Sequence, residues 1–257
     1  YAFRVATVDG ATGGAITSKV SIGSGHTNSG ADAFVAGVDN QVTGNYATVS
    51  GGTLNDATGE SSVISGGQQN DAIGFTAAVG GGASNTASGQ RSRIGGGLLN
   101  TTSGSWSVVD GGVLNLAANE GAAVGGGGNN LARGPYSAVG GGGGSNAADS
   151  NSAMGTHSTI GGGRANIASG DSTVIAGGSS NRATGLYAVV GGGVQNWAAG
   201  GGATIAGGGG NSAGGGSATV GGGAGNNAFN TYSVVAGGRI NTASGYISTV
   251  GGGDVNT

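Results

Sequence analysis

Hydrophobic and polar positions follow one another along this chain in a pattern that returns every 15 residues. We number each repeat from its asparagine. Position 10 is then valine or isoleucine, and positions 12 and 13 are glycine, in all fourteen complete repeats. Position 3 is alanine and position 5 glycine with two exceptions each, and position 8 is always alanine, serine or threonine. The repeat asparagines are Asn40, Asn55, Asn70, Asn85, Asn100, Asn115 and Asn130, and, after a six-residue insertion at 145–150, Asn151, Asn166, Asn181, Asn196, Asn211, Asn226, Asn241 and Asn256.

The restricted positions 1, 3 and 5, and then 8, 10 and 12, are spaced by two residues, which is the spacing of a β-strand. Each repeat therefore predicts two short strands joined by tight corners, and stacked repeats predict an all-β parallel solenoid that rises ~4.8 Å per coil. The predicted core residues at position 10 are Val49, Ile64, Val79, Ile94, Val109, Val124, Val139, Ile160, Ile175, Val190, Ile205, Val220, Val235 and Val250.

The predicted interior of one coil is thin. A buried valine or isoleucine contributes roughly 1.5–3 kcal/mol, whereas ordering each backbone residue costs roughly 1–2 kcal/mol. A stacked asparagine ladder (Asn55, Asn70, Asn85, Asn100, Asn115 and Asn130) adds hydrogen bonds. We still expect further burial between chains, and therefore an obligate oligomer whose chains lie side by side. The glycines at positions 11 to 13 allow another backbone to approach closely or a corner to take a positive φ.

Composition excludes several classes of protein. The chain has 66 glycines but a single proline, Pro135, so it is not collagen. It is 36% hydrophobic and only 7% charged, which does not fit a disordered chain. The net charge is −3 with one lysine, Lys19, so we expect no nucleic-acid partner, and no apolar run is long enough to insert into a membrane. Cysteine is absent, which excludes disulfides and thiolate metal sites.

Four stretches of the repeat, "SAVGGGGGSN", "STVGGGDVNT", "SATVGGGAGNNAFN" and "SRIGGGLLNTTSG", resemble the head repeats of YadA-like trimeric autotransporter adhesins, of the form S-V-A-I-G-x-x-S-x-A-x-G-x-x. The similarity covers roughly residues 20 to 257, and similar repeats are also found in phage tail fibres. It implies a left-handed parallel β-roll, a homotrimer of chains side by side, and a role in surface adhesion.

The chain divides into residues 1–27, a β-segment followed by a degenerate first coil, and residues 28–257, the solenoid. The interval from Asn28 to Asn40 is three residues short of the period. Since the chain ends shortly after Asn256, we expect an open coil edge there. End-to-end stacking into a filament, with residues 1–8 covering the neighbouring edge, is one hypothesis, and a chain trimmed at a repeat boundary is the other.

Aromatic residues recur at position 7 on the predicted outside, namely Tyr46, Trp106, Tyr136, Tyr187 and Tyr232, with His157 at the same position and Phe75 and Tyr246 beside it at position 6. They are candidates for an adhesive surface that stacks on glycans. Packing at corners between chains is the alternative, and the sequence favours it slightly.

Catalytic and cofactor signals are weak. Asp56 and Asp71 share position 2 of adjacent repeats and could bind a cation or act as hydrolase carboxylates, but exposed corner acids are the favoured interpretation. His26 and His157 lie many coils apart. Phosphate-binding and calcium-repeat motifs are absent, so we predict no catalytic residue, cofactor or metal. Thr48, Thr159, Thr204, Thr219 and Thr249 at position 9 form too broken an array to favour ice binding, which stays a minor alternative.

The sequence thus predicts a non-enzymatic, extracellular or cell-surface structural protein, an adhesive fibre or filament built from trimeric β-solenoids. Its expected partners are further copies of itself and host glycans or matrix proteins. The main alternative is a phage fibre on a virion, used for host recognition or as a depolymerase.

Overall fold

A computed structural model describes residues 19–257 of the chain, so the β-segment expected at residues 1–8 lies outside the described residues. The described residues form an all-β parallel solenoid of about 15 coils, as the 15-residue period predicts. Within this range the only helical element is one short 3-10 turn, Ala147–Asp149, in the six-residue insertion. Each regular coil contributes one strand at positions 2–3 to a sheet that we call the alanine sheet. It contributes a second strand at positions 9–10 to a sheet that we call the valine sheet.

The described residues divide into two compact units, one that ends at Trp106 and one that covers residues 107–257. In the first unit, strands pair in parallel with those one coil away. Its valine sheet contains Val20–Ser24, Phe34–Val38, Thr48–Val49, Val63–Ile64, Ala78–Val79 and Arg93–Ile94. Its alanine sheet contains Thr27–Asn28, Gln41–Val42, Asp56–Ala57, Asp71–Ala72, Thr86–Ala87 and Thr101–Thr102.

The second unit has the same arrangement over more coils. Its valine sheet contains Val108–Val109, Ala123–Val124, Ala138–Val139, Thr159–Ile160, Val174–Ile175, Val189–Val190, Thr204–Ile205, Thr219–Val220, Val234–Val235 and Thr249–Val250. Its alanine sheet contains Leu116–Ala117, Leu131–Ala132, Ser152–Ala153, Ile167–Ala168, Arg182–Ala183, Trp197–Ala198, Ser212–Ala213, Asn227–Ala228 and Thr242–Ala243.

Position 14 forms a third column, which the sequence analysis did not predict. Single-residue parallel bridges join position 14 of successive coils, for example Thr53 to Gln68 in the first unit and Val194 to Gly209 in the second. The glycine at position 13 makes the corner before this column. Gly208, for instance, has φ +84°, and a Cβ there would lie 2.1 Å from the carbonyl oxygen of Gly223. Only glycine meets both conditions, so the fold of one chain explains position 13.

Side chains at positions 1, 3, 8 and 10 fill the interior. The position-10 residues from Val49 to Val235 are at most 1% exposed, and Val250 is half-buried. The asparagines of position 1 are buried in a ladder. The Oδ1 of Asn55 accepts the backbone N–H of Asn70 (3.0 Å) and its side-chain Nδ2–H (3.1 Å), and Asn70 repeats these contacts to Asn85. The ladder thus links each coil to the next by hydrogen bonds beside the corner that the position-13 glycines form.

The first complete coil of the solenoid begins at His26, two residues before Asn28, where the sequence analysis began the solenoid. Asn28 pairs with Val42, which is position 3, so His26 occupies position 1. The backbone N–H of Asn40 donates to Nδ1 of His26 (3.3 Å), as it would to an asparagine oxygen in a regular coil. The Nε2 of His26 lies 3.1 Å from the carbonyl of Ile22, which fits an imidazole protonated at Nε2. This coil is therefore one residue shorter than the period, because Ala36 alone takes the place of positions 11 and 12 in the other coils.

Candidate functional site

The predicted aromatic residues line one edge of each unit. Tyr46, Trp106, Tyr136, Tyr187 and Tyr232 are between 49 and 63% exposed. Their backbone lies in the left-handed region, with φ between 54° and 59°. An L-residue costs roughly 1–2 kcal/mol in this conformation. The corner itself imposes it, since Ser61 and Ser172 at the same position also have positive φ. The turn therefore presents every position-7 side chain on the outside of the coil.

Several of these aromatic side chains contact residues of the adjacent coil. Tyr136 stacks on His157 with ring centroids 5.3 Å apart. Its hydroxyl donates a short hydrogen bond to Glu120, which raises the pKa of Tyr136 above its ordinary value. In the first unit the guanidinium of Arg91 lies 5.9 Å from the ring centroid of Trp106. These contacts preorganise parts of the edge but leave the rings accessible.

Asp56 and Asp71 lie in register on adjacent strands of the alanine sheet. Burial raises the pKa of Asp56, and the neighbouring Asp71 carboxylate raises it further, against a hydrogen bond from Gln41 that lowers it. Burial also raises the pKa of Asp71, while the Thr86 hydroxyl lowers it. One carboxylate oxygen of Asp56 is buried without a hydrogen-bond partner. The pair can therefore hold a proton more readily than an ordinary exposed aspartate.

The outer face of the valine sheet carries mostly small side chains in the second unit, whereas the first unit has Arg93 at position 9. In the second unit, position 9 is always alanine, valine or threonine, and of the threonines Thr159, Thr204, Thr219 and Thr249 only Thr204 and Thr219 lie on adjacent coils. Position 11 of this unit is glycine or alanine apart from Asp110. Position 12 is always glycine and is half-exposed. We call positions 9, 11 and 12 together the flat face.

Two features carried little or no signal in the sequence. Position 15 also has a left-handed backbone, which even Leu99 and the β-branched Ile240 and Val255 adopt. The insertion is fixed by Asp149, whose carbonyl accepts the Ala165 N–H (2.9 Å) and whose carboxylate lies 3.7 Å from Arg164. It borders an open cleft of about 360 Å³ lined by glycine backbone and by Val113, Leu114, Asn129 and Ser145.

Among the described residues, no group of three or more histidine, cysteine, aspartate or glutamate side chains is placed to hold a metal ion. No helix in the described range is long and apolar enough to cross a membrane. Comparison with protein-family models gives no match, and comparison with curated proteins gives none either.

Proposed function

We propose that this chain is a non-enzymatic structural protein of a cell or virion surface, whose copies associate side by side into an adhesive fibre or filament. The observation that carries the proposal is the glycine at position 12. It occurs in all fourteen repeats, yet the fold of one chain requires it only in part, at Gly66, Gly81, Gly126, Gly192, Gly222 and Gly252, whose φ values lie between 131° and 158°. A Cβ at Gly51, Gly207 or Gly237 would meet nothing within 4 Å, and none of these three has a left-handed φ.

A second backbone that approaches this row closely would explain why no side chain stands there. Position 9 supports the same explanation. An outward strand position of a single chain normally accepts large and charged residues, but the ten coils of the second unit use only alanine, valine and threonine. The three positions of the flat face give thirty residues in this unit, and a standard protein interface uses about 20–30 residues a side.

The regular spacing favours a further copy of the same chain as the partner. The glycine at position 12 recurs once per coil, at ~4.8 Å intervals. A surface that makes the same close approach at every coil needs the same interval, and a second copy has it. The resemblance to trimeric adhesin heads adds the expectation of three chains and of an extracellular location.

Substitutions at position 12 test this proposal. We expect the wild-type chain to sediment as a homo-oligomer and the double variant Gly207→Lys/Gly237→Lys to sediment as a folded monomer. Ser169→Lys, at exposed position 4, is the matched control and should remain oligomeric. A monomeric wild type, or an unchanged oligomer in the glycine double variant, would contradict the proposal.

The raised pKa values of Asp56 and Asp71 favour a second candidate, a fibre that hydrolyses glycans. Retaining glycosidases use two carboxyl groups ~5–5.5 Å apart, one as the acid and the other as the nucleophile. Two carboxyl groups on neighbouring strands are close enough to take these two roles. Hydrolysis of a polysaccharide by the wild type that disappears in Asp56→Asn would establish this candidate. If no polysaccharide releases reducing sugar, the second candidate is rejected and only the structural function stands.

A further inference from the structure

In the second unit, the exposed edge at positions 4 to 7 carries large apolar side chains on two coils and none on the two coils between them. Residues 184–187 and 229–232 carry Leu186, Tyr187, Phe229 and Tyr232, which are 50 to 63% exposed. The two coils between them carry only Ala199, Ser217 and six glycines at these positions. The edge thus forms a groove with apolar and aromatic walls and a glycine floor. We call residues 184–187, 199–202, 214–217 and 229–232 the glycine-floored groove.

The fold does not require every glycine in this floor. Gly200 and Gly215 are required, because a Cβ would lie 1.8 and 2.0 Å from a backbone oxygen of the next coil. By contrast, a Cβ at Gly201, Gly214 or Gly216 would meet its nearest atom at 3.7 to 3.9 Å, and none of the three has a left-handed φ.

Other coils show that large residues fit at these corners. Position 6, which Gly201 and Gly216 occupy in the floor, carries Phe75, Leu186 and Tyr246 elsewhere. The groove is therefore open because of its composition and not because of backbone geometry.

The dimensions suit a chain-like ligand. Tyr187 and Tyr232 are three coils apart, or ~14 Å along the stack. Tyr232 is supported on its far side by Tyr246, whose ring meets it edge-on with centroids 6.2 Å apart. Tyr187 has no large neighbour at position 7 of the adjacent coils, which carry Ser172 and Gly202.

The chemistry of the groove is neutral. Its sixteen residues include no charged side chain. Its polar side chains are Ser217, Thr231, the two tyrosines, Thr184 and Asn230. The Thr184 hydroxyl accepts the Nε1–H of Trp197 (3.0 Å), and the Nδ2 of Asn230 donates to the carbonyl of Ser244 (3.2 Å). Exposed tyrosines offer a flat apolar ring beside a hydroxyl, which fits a ligand with apolar C–H faces and hydroxyl edges. Exposed apolar grooves of this kind mark binding sites.

We propose that the glycine-floored groove binds an uncharged polysaccharide chain, with sugar rings packed against Tyr187 and Tyr232 and sugar hydroxyls bonded to Ser217 and Thr231. The proposal rests on the proposed adhesive function and names its ligand class. Sulfated or carboxylated glycans are disfavoured, because the groove contains no lysine or arginine to pair with their charge.

Affinity electrophoresis of the assembled protein tests the proposal. The gels contain hydroxyethyl cellulose, dextran, galactomannan or, as the charged probe, dextran sulfate. We expect at least one neutral polymer to retard the wild type. Gly216→Leu, which fills the floor, and Tyr187→Ser, which removes one wall, should each weaken that binding about tenfold, the effect of losing one stacking contact.

Leu99→Ser, at exposed position 15 of the first unit and outside the aromatic edge, is the matched control and should bind as the wild type does. Absence of retardation by all three neutral polymers would overturn the proposal. So would equal retardation of the wild type and both groove variants, or preferential binding of dextran sulfate. Sedimentation of the same samples separates this result from the proposed function: an oligomeric wild type that binds no glycan contradicts the groove alone, whereas a monomeric wild type contradicts side-by-side assembly.

Discussion

Replacing one asparagine of the ladder by alanine should strongly destabilise the protein. In Asn70→Ala the lost Nδ2 group donates to Oδ1 of Asn55 (3.1 Å) and to the carbonyls of Gly66 (3.1 Å) and Gly82 (3.0 Å). The lost Oδ1 accepts the backbone N–H (3.1 Å) and the side-chain Nδ2 (3.0 Å) of Asn85.

These five contacts amount to about four hydrogen bonds, since one Nδ2 has two hydrogens for three acceptors. Each buried bond contributes roughly 0.5–1.5 kcal/mol, and the orphaned N–H of Asn85 adds its own desolvation cost. We therefore expect Asn70→Ala to lower the free energy of unfolding by roughly 3–5 kcal/mol.

Guanidinium denaturation followed by far-UV circular dichroism measures this change. The control is Asn45→Ala, because Asn45 is exposed and accepts a single bond, from the backbone N–H of Ala31 (3.0 Å). The control should change stability by less than about 1 kcal/mol. If Asn70→Ala is no more destabilising than Asn45→Ala, the ladder does not hold the coils together and this reasoning is refuted.

Three further predictions use the same kind of comparison. Gly208→Ala should be strongly destabilising because its Cβ would meet a backbone oxygen at 2.1 Å, whereas Gly207→Ala should leave the folding of the chain unchanged, as thermal melts of the two variants can show. The free energy of unfolding should fall as pH rises from about 3.8 through the raised pKa values of Asp56 and Asp71, because the folded state holds their protons more tightly than the unfolded state does. Denaturation at several pH values measures this change, and Asp56→Asn should flatten it; a wild-type stability that rises over this range would contradict the prediction. Ile240→Gly should leave stability unchanged or raise it by up to about 1 kcal/mol in denaturant melts, since Ile240 is 47% exposed and has φ 54°, and a loss above about 1 kcal/mol would show that its side chain makes an essential contact.

The 15-residue period was sufficient to predict the solenoid, the two strands of each coil and the inward direction of position 10. It could do so because strand alternation is a local property that fourteen copies repeat. The column at position 14 was not predictable in the same way. Its residues range from glycine to Val194 and Arg239, so no side-chain pattern marks a backbone bridge.

The start of the first coil was misplaced for a related reason. Asn28 looked like a repeat asparagine, but the hydrogen-bond role of position 1 belongs to His26, whose imidazole nitrogen replaces the amide oxygen. The left-handed backbone at positions 7 and 15 was hidden because tyrosine, tryptophan and leucine occupy it, and these residues do not signal positive φ. The glycine-floored groove becomes visible only once contact distances separate required glycines from those that the fold leaves free.

Sedimentation equilibrium of the purified wild-type chain measures whether copies of the chain associate side by side through the flat face. We expect a stable homo-oligomer across a wide range of concentrations, with a mass three times that of one chain if the resemblance to trimeric heads extends to its assembly. A folded chain that sediments as a monomer at all concentrations would contradict this expectation.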